Sequence, residues 1–274
     1  MKTSVLIAIV KKDLLEVKQN TSVMISIIVV PLVFLVVLPL VLMTVFNSSG
    51  QDPVEIQKQL GELGPMLQNI PPSMSQYLAP WNDFQKLFVL GLGVLLAPMF
   101  LILPLMTASA IASESFAGER ERKTMEALLY TAASDAELFV GKVLTAFLPA
   151  LAITWLSFAG YTIVLNAAGW PVFGQIWFPL SMWWPLIFWV SPALAALGIA
   201  ITVLISVKTH SFMGAYQTSA SVVLLVVGLM AGQVSGVLYL SVSIGLILGG
   251  VLWVAAGGLA WFAVRTFNRP KLLL

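Results

Sequence analysis

Long apolar runs without charge dominate the pattern of hydrophobic and polar positions along this chain. A membrane-spanning helix needs about 20 predominantly apolar residues to cross the hydrocarbon layer. Two early runs, Val23 to Phe46 and Leu87 to Ala112, are each long enough for one crossing. The uncharged stretch between Lys142 and Lys208 is long enough for two crossings and is broken in its middle by Gly and Pro residues.

The last uncharged stretch runs from Thr209 to Val264 and contains two further crossings. Its clearest interruption lies between Gly232 and Gly236, which predicts a helical hairpin. The pattern therefore predicts an all-α membrane protein with six transmembrane helices. The predicted spans cover residues 23–46, 87–112, 139–168, 183–207, 212–231 and 237–264. The sequence leaves undecided whether a re-entrant segment lies between the last two spans.

Residues 1–20 form an amphipathic pattern ahead of the first span. Apolar side chains share one helical face and lysines lie elsewhere, which predicts a helix in the inner membrane interface. The alternative is an ordinary cytosolic extension of the first span. The residues of the apolar face are Leu6, Val10, Leu14 and Val17.

Residues 47–86 form the longest connection between spans. Asp52 followed by Pro53 is typical of a helix start, and apolar residues from Ile56 to Ile70 recur at helical spacing. Gly61 and the Gly64–Pro65 pair disfavour one long helix. The segment is predicted to be a small extracytoplasmic helical cap, with a role in gating left open.

The composition agrees with a membrane protein and excludes several soluble classes. The chain is 59% hydrophobic and 9% charged, with a mean hydropathy of +0.97, whereas a soluble domain has about 25% charged residues. A soluble enzyme, a nucleic-acid binder and a disordered linker are excluded. With no Cys and one His, Cys-ligated and His-clustered metal sites are excluded as well.

The distribution of basic residues predicts the orientation. Of the 14 Lys and Arg residues, all but Lys58 and Lys86 fall on one side of a six-span topology. The positive-inside rule places that side, with both termini, in the cytoplasm. Five or seven spans would split the basic clusters between the two sides.

The densest charge lies in residues 113–137, the predicted cytoplasmic region between the second and third spans. On a helix, Glu119 would face Lys123 and Arg122 would face Glu126 at i, i+4 spacing. Ser134, with a Glu three positions later, predicts a capping box that starts the third span. The alternative is that these charges only solvate a loop.

The run Glu119-Arg-Glu-Arg-Lys-Thr-Met-Glu126, followed by Leu128-Leu129 and Gly141-Lys142, resembles the cytoplasmic signature of type-2 ABC exporter permeases. The six-span layout and length are similar to that family too. Lys123 stands where many members have Gly, and Met125 where many have Leu. The resemblance implies a coupling helix that seats in a groove of an ABC ATPase. Its implied coupling residues are Glu119, Arg120, Glu121, Arg122, Lys123, Glu126, Leu128 and Leu129.

The resemblance also implies partner chains in the plasma membrane of a prokaryote. No G-x-x-x-x-G-K-[ST] motif occurs in the sequence, so ATP and Mg are expected on a separate ATPase subunit. A second permease copy or a homologous permease would complete the pathway, surrounded by lipid and without nucleic acid. Close helix contacts or a dimer interface are predicted at small residues, with a tight turn as the alternative. The candidates are Gly228, Gly232, Gly236, Gly245 and Gly249.

The apolar spans favour a hydrophobic or amphipathic cargo, such as a drug, lipid or peptide, exported by alternating access. Ion and proton pathways usually need an acidic or basic side chain inside the membrane. An ATPase-coupled sensor or assembly factor, and export of an ion such as sodium, stay open as alternatives. An intramembrane enzyme is disfavoured because the serines of the spans have no base within the membrane. No substrate-binding residue is assigned.

Overall fold

The computed structural model describes residues 2–49, 53–124, 134–209 and 211–266. Every regular element within these ranges is a helix, and six helices are long and apolar enough to cross a membrane. The predicted all-α fold with six candidate transmembrane helices is confirmed.

The helices are numbered in chain order. The N-terminal helix α1 is Thr3–Gln19. The short helices between the first two spans are α3 (Pro53–Glu62), α4 (Gly64–Gln68) and α5 (Pro72–Leu78). The six candidate spans are α2 (Val23–Thr44), α6 (Asp83–Glu121), α7 (Asp135–Phe173), α8 (Trp183–Ser206), α9 (Phe212–Val234) and α10 (Val242–Arg265).

The helix of the second span continues beyond its apolar run, to Glu121, so the charged motif begins on the same helix. Lys123 then adopts a left-handed backbone with φ 58°, which ends the helix because few non-glycine residues continue one from that conformation. Glu119 pairs with Lys12 and Lys142 and not with Lys123, its predicted i, i+4 partner. The predicted separate charged helix stays a prediction. Glu126, the expected partner of Arg122, lies outside the described residues.

The third span begins where the capping box predicted it. The Ser134 hydroxyl accepts a hydrogen bond from the backbone N–H of Glu137, and the Glu137 carboxylate accepts one from the backbone N–H of Ser134. These bonds satisfy N–H groups that have no partner inside the helix. Helix α7 then runs without interruption to Phe173 and passes through Pro149 and Pro171.

The turn between the last two spans lies later than predicted. Helix α9 extends to Val234, and its connection to α10 covers residues 235–241. Gly236 has φ +74°, and a Cβ atom there would collide with the Pro65 carbonyl oxygen. Glycine is required because the turn contacts the backbone of α4 closely in a conformation that other residues rarely adopt.

The six spans differ in how far the rest of the chain covers them. In the most apolar 18 residues of each span, the rest of the chain buries 83% of the residues of α6 and 78% of those of α8. The corresponding fractions are 11% for α2, 17% for α9 and 22% for α10. Helices α6 and α8 therefore form the centre of the bundle. The apolar faces of α2, α9 and α10 remain for lipid or a partner chain.

Helix α1 packs on the start of α7 through one face, and the apolar residues predicted to face the membrane interface, Leu6, Val10 and Leu14, stay partly exposed. Its buried residues are Ile9, Asp13 and Val17, which recur every four positions. A Cβ atom at Gly141 would lie 2.8 Å from the Ile9 side chain, so glycine lets the two helices approach closely. Whether α1 lies in the membrane interface stays a prediction.

Candidate functional site

Charged residues from α1, α6 and α7 meet beside the junction of α8 and α9 and form a charged cluster. It is built around the end of α6, where the sequence motif lies. Its members are Lys12, Asp13, Glu16, Glu114, Glu119, Arg120, Glu121, Arg122 and Lys142.

Lys142 of α7 is the innermost cation of the charged cluster and is fully buried. Its Nζ donates to Glu119 Oε2 at 2.5 Å and to the Ser115 carbonyl oxygen at 2.6 Å. Asp13 Oδ2 of α1 lies 3.4 Å from the same nitrogen, and the Ser115 hydroxyl donates to that oxygen at 2.5 Å. A buried ammonium is tolerated only when paired and hydrogen-bonded, and these contacts meet that condition.

Local backbone features of α6 make this arrangement possible. The helix widens into a π-helical turn at Glu114–Gly118, and the Ser115 carbonyl that accepts from Lys142 lies within it. Such turns are rare and occur frequently at functional sites. A Cβ atom at Gly118 would lie 2.8 Å from Glu114 Oε2, so glycine leaves room for that carboxylate.

Lys12 of α1 joins three carboxylates on the partly exposed side of the charged cluster. Its Nζ contacts Glu119 Oε1, and lies 3.2 Å from Asp13 Oδ1 and 2.9 Å from Glu16 Oε1. Burial by itself lowers the pKa of Lys12, but the carboxylates of Glu119, Glu16 and Asp13 together more than offset this, so the pKa lies above its ordinary value. The oxygens of Asp13, Glu16 and Glu119 converge as metal ligands would, but the Lys12 ammonium already pairs with all three.

Glu114 links the end of α6 to the connection between α1 and α2. Arg122 Nη1 lies 2.7 Å from Glu114 Oε1, and Asn20 Nδ2 donates to Glu114 Oε2 at 2.6 Å. Arg122 also lies 3.7 Å from Glu16 of α1. Because Asn20 joins α1 to α2, this carboxylate links the charged motif to the entrance of the first span.

Arg120 and Glu121 bind the two helix ends at the junction of α8 and α9. Arg120 Nη1 donates to the carbonyl oxygens of Ser206 and Val207 at 3.0 and 3.1 Å. Glu121 Oε2 accepts from the backbone N–H of Phe212 at 2.8 Å. A cation at a helix C-terminus and an anion at a helix N-terminus both interact favourably with the helix dipole. The two motif residues therefore hold α8 and α9 to the end of α6.

The predicted coupling residues differ in how far they are exposed to solvent. Glu119 is fully buried, Arg120 is partly buried, and Glu121, Arg122 and Lys123 are exposed. Glu119 thus forms ion pairs inside the protein and does not lie on its surface. The remaining predicted coupling residues, which lie outside the described residues, are Glu126, Leu128 and Leu129.

Sequence reasoning did not assign Lys12, Asp13 and Lys142 to a site. One signal was present: Lys142 stands within a helix that is otherwise apolar for many residues after it. A lysine in such a helix needs a carboxylate partner. The identity of that partner could not be read from spacing, because Asp13 is 129 residues away.

The five candidate glycines have different environments. Cβ atoms at Gly245 and Gly249 would contact Pro185 and collide with Trp189, so both glycines serve close packing of α10 on α8. Gly232 faces Leu238, and Gly236 contacts Pro65 of α4. Gly228 has open space around it, so it is available to a neighbour outside this chain.

Six helices long and apolar enough to cross a membrane, several of them joined at one end by the charged cluster, define a multi-pass membrane protein. The family model described as "ABC-2 family transporter protein" matches residues 7–247. The chain therefore belongs to the ABC-2 transporter family, as a membrane transport component, and this family implies pairing with an ABC ATPase subunit. Among curated proteins and solved structures, none matches the chain.

Proposed function

We propose that this chain is the permease half of an ABC exporter. It moves a hydrophobic or amphipathic molecule out of the cytoplasm by alternating access, driven by ATP hydrolysis on a separate subunit. The observation that supports this most directly is the charged cluster. The cluster joins α1, α7, α8 and α9 to the end of α6. The segment between Thr124 and Ser134 begins directly after this point.

The segment between α6 and α7 is suited to transmit a conformational change from an ATPase subunit to the helices. At its start, Arg122 lies 3.7 Å from Glu16 of α1. At its other end, the backbone N–H of Lys2, the residue before α1, donates to Glu137 Oε1 at 2.7 Å. Helices move as stiff bodies between discrete packings. A displacement of this segment would therefore shift several helices together.

The coupling motif then has two parts with different roles. Glu119 to Arg122 transmit movement into the bundle through internal contacts. Lys123 is exposed, and we place the docking surface for the ATPase at Lys123 and in the residues that follow. Exposed charges of this kind steer and select a protein partner more than they add raw affinity.

The proposed cargo class follows from the chemistry of the spans. Helices α2, α8 and α9 contain no Asp, Glu, Lys or Arg. A pathway for ions or protons usually requires such groups in the membrane, whereas an apolar molecule needs only apolar walls. We further propose a prokaryotic plasma membrane as the location, with both termini in the cytoplasm.

Site-directed cross-linking tests the function and the orientation together, because the chain contains no Cys. We expect Lys123→Cys, carrying a short bifunctional maleimide, to cross-link to a co-expressed ABC ATPase subunit. Ser73→Cys, on the proposed outer side and also exposed, is the matched control and should give no cross-link. Mass spectrometry of the linked peptides provides the readout.

If no co-expressed ABC ATPase co-purifies with the chain, the exporter function is contradicted. A cross-link from Ser73→Cys with none from Lys123→Cys would instead reverse the orientation.

The sparse burial of α2, α9 and α10 supports pairing with a second permease chain. Gly228 lies in α9, has open space around it and belongs to a class of small residue that allows close helix contact in membranes. We propose that this face of α9 contributes to a homodimer or heterodimer interface.

A matched pair of glycine variants distinguishes this interface from internal packing. Gly249→Leu should lower the free energy of unfolding by about 1–3 kcal/mol, because it overpacks against Trp189. Gly228→Leu should leave that free energy within about 0.5 kcal/mol but reduce the dimer fraction. Thermal unfolding in detergent and single-molecule mass measurement in nanodiscs give the two readouts. An unchanged dimer fraction in Gly228→Leu would remove α9 from the interface.

A further inference from the structure

An apolar groove of about 570 Å³ runs along α1 and is closed on one side by α7. Its volume is within the range of small-molecule pockets, about 300–1,000 Å³. The groove is open to its surroundings, because Ile7 on the α1 wall is 62% exposed and Leu148 on the α7 wall is 52% exposed. The other aliphatic residues of the lining are Leu6, Val10, Leu14, Leu15 and Leu144.

The two walls of the groove suit different layers of a membrane. Leu144 and Leu148 belong to the first turns of the uncharged stretch that follows Lys142, and they lie within the candidate span α7. The α1 wall contains Lys11 and Lys18, which we call the groove lysines. A lysine covers apolar surface with its aliphatic stem and keeps its ammonium group in a polar layer. The groove therefore lies where polar headgroups meet hydrocarbon.

The groove lysines are close enough to share one anion. They are seven residues apart on α1 and so lie on nearly the same face, separated by a helical rise of about 10 Å. Both side chains are exposed. Neither forms a salt bridge or a side-chain hydrogen bond with any residue that the structure describes.

The acidic residues of α1 do not neutralise the groove lysines. Asp13 pairs with Lys12 and Lys142, and Glu16 pairs with Lys12 and Arg122. Both carboxylates are thus engaged in the charged cluster. Two uncompensated cations beside an apolar groove are complementary to a molecule that combines an anionic group with an aliphatic chain.

We propose that this groove binds one anionic phospholipid. Its phosphate lies between the groove lysines, which bind it through charge-assisted hydrogen bonds, and one acyl chain packs against Leu144 and Leu148. A water-soluble acidic peptide would match the lysines but not the α7 wall, which belongs to a membrane span. This site depends on neither the ATPase subunit nor the identity of the cargo.

Native mass spectrometry of the full chain tests the headgroup contact. The chain is titrated in detergent with phosphatidylglycerol and, separately, with phosphatidylcholine of the same acyl chains. A lysine near an anionic membrane surface contributes about fivefold in affinity, so we expect the first phosphatidylglycerol to bind about 25-fold more tightly than phosphatidylcholine.

The double variant Lys11→Gln, Lys18→Gln should remove this preference. Its matched control is Lys123→Gln with Lys208→Gln, which loses the same charge at two exposed positions that do not line the groove. The control should retain the preference. Equal affinity of the wild-type chain for both lipids, or an equal loss in both double variants, would overturn the role of the groove lysines.

A second pair of variants tests the place of the acyl chain. Leu148→Trp puts a larger side chain into the groove and should weaken phosphatidylglycerol binding at least fivefold. Leu156→Trp is the matched control, because Leu156 is 72% exposed on the same helix and does not line the groove. Equal binding by these two variants would overturn the acyl-chain contact.

Two further outcomes separate the phospholipid from other occupants. Glycerol 3-phosphate carries the phosphate without acyl chains and should not displace the lipid at equal concentration. Displacement would overturn the phospholipid in favour of a soluble phosphate. A dimer that binds no lipid, and that Leu148→Trp dissociates, would show instead that a second copy of this chain fills the groove.

Discussion

Replacement of Lys142 by Met is expected to destabilise the protein by about 3–5 kcal/mol. The side chain is fully buried, and its removal takes the ammonium away from Asp13 Oδ2 and Glu119 Oε2, which leaves the two carboxylates with Lys12 as their shared cation. A buried carboxylate that loses its partner retains its desolvation cost and loses the attraction that offset it. Thermal unfolding of the purified chain in detergent, followed by tryptophan fluorescence, measures the effect.

A neutral version of the same cluster should recover much of this loss. In Lys142→Met with Asp13→Asn and Glu119→Gln, no unpaired carboxylate remains around position 142, and well-packed neutral replacements of buried ion pairs are often tolerated. Lys18→Met is the matched control, since Lys18 lies exposed on α1 and should change stability by less than about 0.5 kcal/mol. If Lys142→Met unfolds at the same temperature as Lys18→Met, Lys142 does not hold α1, α6 and α7 together.

The second large effect is expected from Arg120→Met combined with Glu121→Gln. This double variant should impair the transmission of conformational change from the ATPase to the transmembrane helices. Both side chains are at least partly exposed, so the fold and the association with the ATPase should persist. The variant lacks the bonds that hold α8 and α9 to the end of α6. Coupling between distant sites typically amounts to about 1–3 kcal/mol, or about 5–150-fold in affinity, and we expect most of it to be lost.

A cysteine at Ser243, exposed at the start of α10, reports this transmission without knowledge of the cargo. In the complex, ATP with Mg and vanadate should change its rate of reaction with maleimide. The Arg120→Met, Glu121→Gln variant should react at one rate with or without nucleotide. Lys208→Gln is the matched control, because Lys208 is an exposed cation in the same connection. A nucleotide-dependent rate that survives in the double variant would exclude these two residues from the transmission path.

Part of the candidate site could be predicted from the sequence, because it depends on local patterns. The Ser134 capping box was predicted correctly, since its two partners are three residues apart. The motif from Glu119 to Arg122 was noticed because charge is concentrated there. The partners of Glu119 were not predicted: the i, i+4 rule pointed to Lys123, but the helix ends before that residue and Glu119 pairs with Lys12 and Lys142.

The sequence by itself determined the class and the number of spans, because the thickness of the hydrocarbon layer fixes how many apolar residues one crossing needs. That quantity is local and additive along the chain. Only the tertiary structure decided which charges meet. Lys142 could pair with any carboxylate brought to its side, and the close packing of α1 on α7 at Gly141 selects Asp13, 129 residues away. The position of an ion pair between helices therefore depends on how the helices pack, which no local pattern records.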